Sequence, residues 1–281
     1  MSRTHLGLAF CLGFVTLEAF QAVYLGAVFQ GADSFQIGAW IFGLSVVLSV
    51  GATALFRPAE IIVALRAWPL VAALNLLAAF AWIAYFLALE LIEPAVVFTL
   101  FSGMVPLGVV VARWIGVPEA CGNVAFRRPA VRVGHGLVLL SLLLLAGFTV
   151  AGLSGFVRGG PSVAIAGVAF AAVSGGLTAF VFVYSVRLNA RGVGPLAQFG
   201  LRFMLYPVLA ALAYRAGIYA KGAALAPDEP AAIVAVGLLV VAFPLYLVQK
   251  AVPLIPAPTI AAMTALGPAM VFAMQLVEGR V

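Results

Sequence analysis

Two charged residues stand where charge is costly. Glu18 lies near the middle of an apolar run that begins at Leu6, and Arg202 lies well inside another. An ionised side chain at the centre of a bilayer costs several kcal/mol, so it faces a wet cavity, pairs with an opposite charge, or stays neutral. Gln21 follows Glu18 at i+3 and shares its helical face. Gln198 and Tyr206 flank Arg202 at i−4 and i+4 and form one polar stripe with it. Glu18 is a candidate for binding substrate or a proton, and alternatively a structural partner of Arg202. Arg202 has two readings of its own. Its guanidinium fork suits a carboxylate, or its head snorkels to the nearer membrane surface.

Weaker candidates surround these two. Asn75, Trp82 and Tyr85 share one face of a third run, and aromatic faces can wall an apolar or cationic substrate. Ser102 with Thr99, and Thr178 with Ser174, add hydroxyls, although such groups usually bond their own helix or a neighbouring one. Pro106, Pro207, Pro244 and Pro268 interrupt apolar runs, and each removes a backbone hydrogen bond. Pro106 and Pro268 are the candidate hinges. Glu90 and Glu93 read as solvated ends of a run, and Arg127, Arg128 and Arg132 as a basic loop.

Enzyme chemistry finds little to work with. The two aspartates, Asp33 and Asp228, both fall in loops, so no membrane aspartyl dyad forms. HExxH and Gly-x-Ser-x-Gly are absent. Cys11, Cys121, His5 and His135 do not make a structural zinc site, and no cofactor or metal is expected.

The elements that must position these residues are membrane helices. Of 281 residues 65% are hydrophobic and 9% charged, against about 45–50% and 25% in soluble domains. Mean hydropathy is +1.21. That balance excludes a soluble enzyme, a primarily nucleic-acid-binding protein and a disordered chain. A helix crossing the bilayer needs about 20 apolar residues. Runs at 6–28, 34–56, 69–90, 95–116, 135–154, 162–186, 196–217, 231–249 and 257–277 meet that need, and Pro, Gly or charged residues separate them. The first run carries Glu18 and is followed by no cleavage site, so it reads as a span and not a leader. With the N-terminus cytoplasmic, ten Lys/Arg fall on inner segments and four on outer ones. That asymmetry predicts an N-in, multi-pass protein of the cytoplasmic membrane. Arginine outweighs lysine and Ala, Val, Leu and Gly dominate, which hints at a bacterial source.

The halves align at one constant offset of 162. Pro94 meets Pro256, Pro106 meets Pro268, and Gln36-Ile37-Gly38 meets Gln198-Phe199-Gly200. The offset spans five helices, an odd number, so the second copy is expected upside down, as in many secondary transporters. The expected fold is therefore an all-α integral membrane protein of nine helices. Residues 1–160 form one five-helix repeat, and residues 161–281 form an inverted repeat lacking its fifth helix.

One stretch resembles a known family. Tyr85-Phe86-Leu87-Ala88-Leu89-Glu90, then Leu91-Ile92-Glu93-Pro94-Ala95 and a span with Pro106 at its middle, look like the third-to-fourth helix region of EamA-type transporters. These belong to the drug/metabolite transporter superfamily. Residues 246–268 repeat the pattern loosely. The resemblance implies an inner-membrane carrier with a central cavity between repeats, lined mainly by the first, third and fourth helices of each copy. Leu12-Gly13 stands where the family often has Trp-Gly, and Trp40 where an Arg is common, while its mate Arg202 keeps the Arg. Leu17-Glu18-Ala19 is similar to the first helix of small multidrug members, whose Glu is shared between protons and cationic substrates. The expected activity is secondary transport of small metabolites, as an exporter of amino acids or related compounds, with protons as candidate coupling ion. A multidrug cation antiporter using Glu18 and a truncated carrier without activity are the alternatives. The expected partners are a small-molecule substrate and the lipid bilayer, with no nucleic acid, and a homodimer stays open.

Overall fold

The computed structural model describes residues 2–25, 33–121, 129–218 and 230–277. Among them, nine helices are long and apolar enough to cross a membrane: Arg3–Tyr24, Ser34–Phe56, Trp68–Leu91, Pro94–Trp114, Pro129–Val150, Pro161–Ala190, Pro195–Arg215, Val234–Ala251 and Ala257–Val277. They are the first to ninth spans below. Their starts follow local chemistry. Ser2 Oγ accepts from His5 N, and Asp33 Oδ1 accepts from the amides of Phe35 and Gln36, so each caps a helix that follows. Proline stands in the first turn of the third, fourth, sixth, seventh and ninth spans, where it has no hydrogen bond to lose. The fifth span starts at Pro129, earlier than the apolar run from 135 suggests. The Arg57-Pro58 break is also more than a loop, because a short helix, Pro58–Arg66, follows it. The Arg127 and Arg128 positions of the basic loop, with Asp228, lie outside the described residues.

Packing is concentrated in a few helix pairs. The sixth span lies against the third and fourth, and the first against the eighth and ninth. The second crosses the seventh, and the fourth crosses the ninth. Gly175 permits one close backbone approach, because a Cβ there would run into the Phe101 carbonyl of the fourth span. The fifth span is peripheral, with only 11% of its apolar window buried. Leu137, Leu139, Leu140, Leu143 and Leu144 face outward, as expected of a surface solvated by lipid, while Leu142 is buried against Gly103 of the fourth span.

Two spans are broken. The seventh stops at Leu201 and restarts at Leu205. The ninth stops at Thr264 and restarts at Gly267. A π turn, Gln21–Leu25, ends the first span, and another, Leu238–Ala242, interrupts the eighth before Pro244. No water is present in lipid to satisfy the backbone groups that a break releases. Asn75 of the third span meets that need for the seventh. Its Nδ2 donates to Leu201 O (2.6 Å) and Val71 O (3.0 Å), and its Oδ1 accepts from Leu205 N (3.0 Å). Asn75 therefore serves the backbone and does not line the central cavity.

Both ends carry ion pairs. At the basic end, Arg187 Nε and Nη2 donate to the two oxygens of Glu119 at 2.7 and 2.6 Å. The sixth span has 30 residues, about 45 Å at 1.5 Å per residue. It overshoots the hydrocarbon and brings Arg187 to the turn after the fourth span. Beside it, Glu60 Oε2 accepts from Gly194 N (2.8 Å) at the start of the seventh span, where a carboxylate is favoured. At the opposite end, the expectation that Glu90 is solvated fails. It is 3% exposed. Ser34 Oγ donates to its Oε1 (2.7 Å), and Arg158 Nη2 lies 3.4 Å from its Oε2. The segment after the fifth span folds back over the end of the third, with Arg158 N donating to Leu91 O and Phe156 N to Glu93 Oε2.

Asn75→Ala leaves a buried carbonyl and a buried amide without partners, at a cost of about 2 kcal/mol. Asn75→Asp keeps the acceptor for Leu205 N but loses the donor for Leu201 O, and thermal unfolding in detergent places it between wild type and Asn75→Ala. The hydrogen bonds from Arg187 hold the Glu119 carboxyl below its ordinary range. A depressed carboxylate stabilises the fold above its unfolded pKa and loses that contribution as pH falls through the folded one. Glu119→Gln is therefore less stable than wild type at neutral pH, by about 1 kcal/mol or less. The gap closes below the carboxylate range, which a pH series of melting curves measures.

Candidate functional site

The interior charge sits at the break in the seventh span. Arg202 is the residue just after Leu201, and the turn exposes its side chain to the centre of the bundle and not to the surface. It is 3% exposed. Snorkelling is thus excluded, because the third and eighth spans close over the guanidinium. Nη1 donates to Gln249 Oε1 at 2.7 Å. Gln249 Nε2 donates to Gln198 Oε1 at 2.8 Å, and Gln198 Nε2 donates to Val193 O at 2.7 Å. Guanidinium can only donate and a backbone carbonyl can only accept, so both amides are oriented by the ends of the relay. The Arg202 Cζ lies 4.6 Å from the Phe203 ring centroid and 5.8 Å from that of Phe199. These rings offer their negative faces to the cation. Nε is buried and has no hydrogen-bond partner.

Arg202 is also a wall of a central cavity of ≈ 20 Å³, with Phe14, Trp82, Phe101, Thr178 and Phe203. That is room for about one water molecule. The walls come from six spans, Leu245 adding the eighth, so the cavity lies where the two groups of packed helices meet.

Glu18 is buried one turn beyond Phe14 and does not itself line the cavity. Its Oε1 has no hydrogen-bond partner, and neither has Gln21 Oε1 on the same face. The Tyr85 hydroxyl lies within electrostatic reach of the Glu18 carboxyl. Tyr85 stands edge-on to Trp82 (centroids 5.3 Å apart), and Trp82 is a wall of the Arg202 cavity. Aromatic side chains, the Tyr85–Trp82 pair among them, therefore stand between Glu18 and Arg202. The Glu18–Arg202 ion pair considered from sequence is not formed. Ion pairs among the described residues join Arg57 to Glu60, Arg158 to Glu90 and Arg187 to Glu119.

The structure gathers Glu18, Gln21, Trp82, Tyr85, Thr178, Gln198 and Arg202 about this centre. Ser102 is not among them. Its Oγ donates to Thr99 O (3.3 Å), and it packs against Gly267 of the ninth span. The hinge candidates also stand apart. Pro106 lies within an unbroken helix and lines a groove between the fourth, fifth and ninth spans. Pro268 follows the break in the ninth span and lines a separate groove with Thr99 and Gln275. Gln249, Phe14 and Phe203 are additions. Gln249 is the last residue of the run 231–249, where a terminal amide reads as a surface group. Its polar type inside an apolar run was the available signal. Among the described residues, no group of three or more His, Cys, Asp or Glu is placed to hold a metal.

The sequence matches no family model and no curated protein. Among solved structures, one described only as the crystal structure of a protein is similar to it. The TM-score is 0.65 at 21% identity, over 99% of this chain and 89% of that one. The likeness is one of fold.

Proposed function

We propose that this chain is a secondary transporter of small metabolites that works by alternating access in a bacterial cytoplasmic membrane, with its N-terminus inside. An exporter of amino acids or related compounds, of the EamA type, is the specific form of this reading. The observation that carries it is Arg202, a buried cation at a helix break, held by neutral amides and aromatic faces on the wall of a closed central cavity. An unpaired charge buried in this way destabilises a fold by several kcal/mol. A ligand that brings its own carboxylate is a physical reason for tolerating it.

Packing supports an inverted duplication. Adding 162 to each residue number carries the first four spans onto the sixth to ninth. The sixth-on-third and sixth-on-fourth contacts then correspond to the first-on-eighth and first-on-ninth ones, and the second–seventh and fourth–ninth crossings map onto themselves. The Gln-x-Gly pair marks one of these crossings. Gly38 packs against Tyr206 of the seventh span, and Gly200 against Ser49 and Val50 of the second. Gly7 packs on Leu254 and Ile255, and Gly167, two residues off that register, packs on Leu91 and Ile92. Two similar halves built this way can exchange roles, opening the centre to one side and then the other. In the closed form, Glu119–Arg187 ties one end and Glu90 with Ser34 and Arg158 ties the other.

Glu18 is the coupling group in this reading. Its carboxyl has a vacant hydrogen-bonding oxygen deep in the first span, and Tyr85 and Trp82 connect it to the cavity. Proton exchange at Glu18 would be felt at the substrate through that aromatic pair. Cationic amphiphiles are the second reading, favoured by the same acid beside two aromatic rings.

Counterflow in proteoliposomes tests the carrier. Vesicles loaded with unlabelled amino acid are expected to accumulate labelled amino acid transiently in wild type. Arg202→Gln is expected to lose at least nine-tenths of that signal while staying monodisperse. Glu18→Gln is expected to keep exchange but to lose the pH dependence of net flux. Counterflow that is absent for both amino acids and quaternary amines overturns transport of these classes. A pH profile unchanged in Glu18→Gln removes the coupling role alone.

A further inference from the structure

One structural feature that transport leaves unused is a groove of ≈ 340 Å³ at the basic end, between the fourth, fifth and ninth spans. Val109, Val138, Ala261 and Ala265 are typical of its aliphatic walls, and among the described residues no carboxylate lines it. Its two ionisable cationic-type side chains are Arg113 and His135. Both lie toward the membrane surface, at the end of the fourth span and in the second turn of the fifth. His135 Nδ1 donates to Val131 O at 2.8 Å, which fixes the ring against its own helix. From Arg113 back to Pro106, and from Val131 in to Val138, the walls run seven residues, about 10 Å along each helix. The groove is thus polar and basic at the surface and hydrocarbon-like in depth.

That order of chemistry matches one kind of occupant. We infer that this groove binds an anionic phospholipid, with the headgroup phosphate at Arg113 and His135 and an acyl chain between the fourth, fifth and ninth spans. Basic pockets between helices at the cytoplasmic side suit such headgroups. The fifth span is the least buried of the nine, so the groove opens to the lipid phase and a lipid can enter sideways. With the basic end cytoplasmic, the site belongs to the inner leaflet. Binding itself requires neither that orientation nor transport.

Native mass spectrometry of the purified chain tests this, with phosphatidylglycerol and phosphatidylcholine of identical acyl chains and soluble glycerol 1-phosphate as a third ligand. Wild type is expected to retain phosphatidylglycerol at least tenfold better than phosphatidylcholine and not to retain glycerol phosphate. Arg113→Gln is expected to bring the two lipids within twofold of each other. Arg132→Gln, which changes an exposed neighbour outside the groove, is expected to keep the tenfold preference. Ala262→Phe fills the apolar part and is expected to lower retention of both lipids, which tests the site should Arg113→Gln fail to fold. Equal losses in Arg113→Gln and Arg132→Gln would assign the preference to diffuse surface charge and overturn the site. Retention of glycerol phosphate, or a dimer that dissociates in Ala262→Phe, also overturns it, the first for a soluble anion and the second for another copy of the chain. None of these outcomes bears on counterflow, so the transport reading stands or falls separately.

Discussion

A broken helix inside a bilayer is possible only if something replaces the hydrogen bonds it gives up. The Asn75 carboxamide does this for the seventh span, donating to Leu201 O and accepting from Leu205 N. The break it sustains turns Arg202 toward the centre. A continuous helix would leave the guanidinium on one fixed face among side chains at i±4, and the relay to Gln249 would have to form from that face. The site thus depends on a backbone constraint in a different span. Asn75 is served by a chain separation of 126 residues to Leu201, so the third and seventh spans must dock before the break is stable.

The same rule, that nothing polar is left without a partner in hydrocarbon, is met differently at the two interior charges. Arg202 has a dry relay through two glutamines that ends on a backbone carbonyl, with aromatic faces beneath it. This satisfies Nη1 and leaves Nε open to the cavity wall. Glu18 has no comparable relay, and its open oxygen sits with the open oxygen of Gln21. A relay fixes a charge in one state, whereas an unanchored carboxyl can change state at small structural cost. That difference is the physical ground for the proposal that Arg202 binds and Glu18 couples.

Rigid and yielding contacts are distributed accordingly. The helix pairs are locked by close backbone approach, as at Gly175 against Phe101. The ends are held by partly exposed ion pairs, such as Arg187–Glu119 with side-chain exposures of 34% and 20%. Exposed pairs contribute little each and exchange readily with water.

Sequence alone was enough for the nine long apolar helices of the described residues, because bilayer thickness sets the length of each apolar run and proline marks where helices start. It was also enough to single out Glu18 and Arg202, since charge inside such a run is conspicuous whatever the fold. It did not show what surrounds them. Whether Arg202 snorkels or turns inward depends on Gln249, 47 residues away, and on the third span closing over it. Asn75 and Gln249 look like ordinary polar residues in their own runs, and only the neighbouring spans make one a backbone partner and the other a relay. Glu90 looks like a solvated helix end until Ser34 and Arg158 are folded against it. Spans are local properties of hydropathy and length, so they are legible in the chain. Burial and partnership are properties of packing between distant segments, so only the tertiary structure decided them.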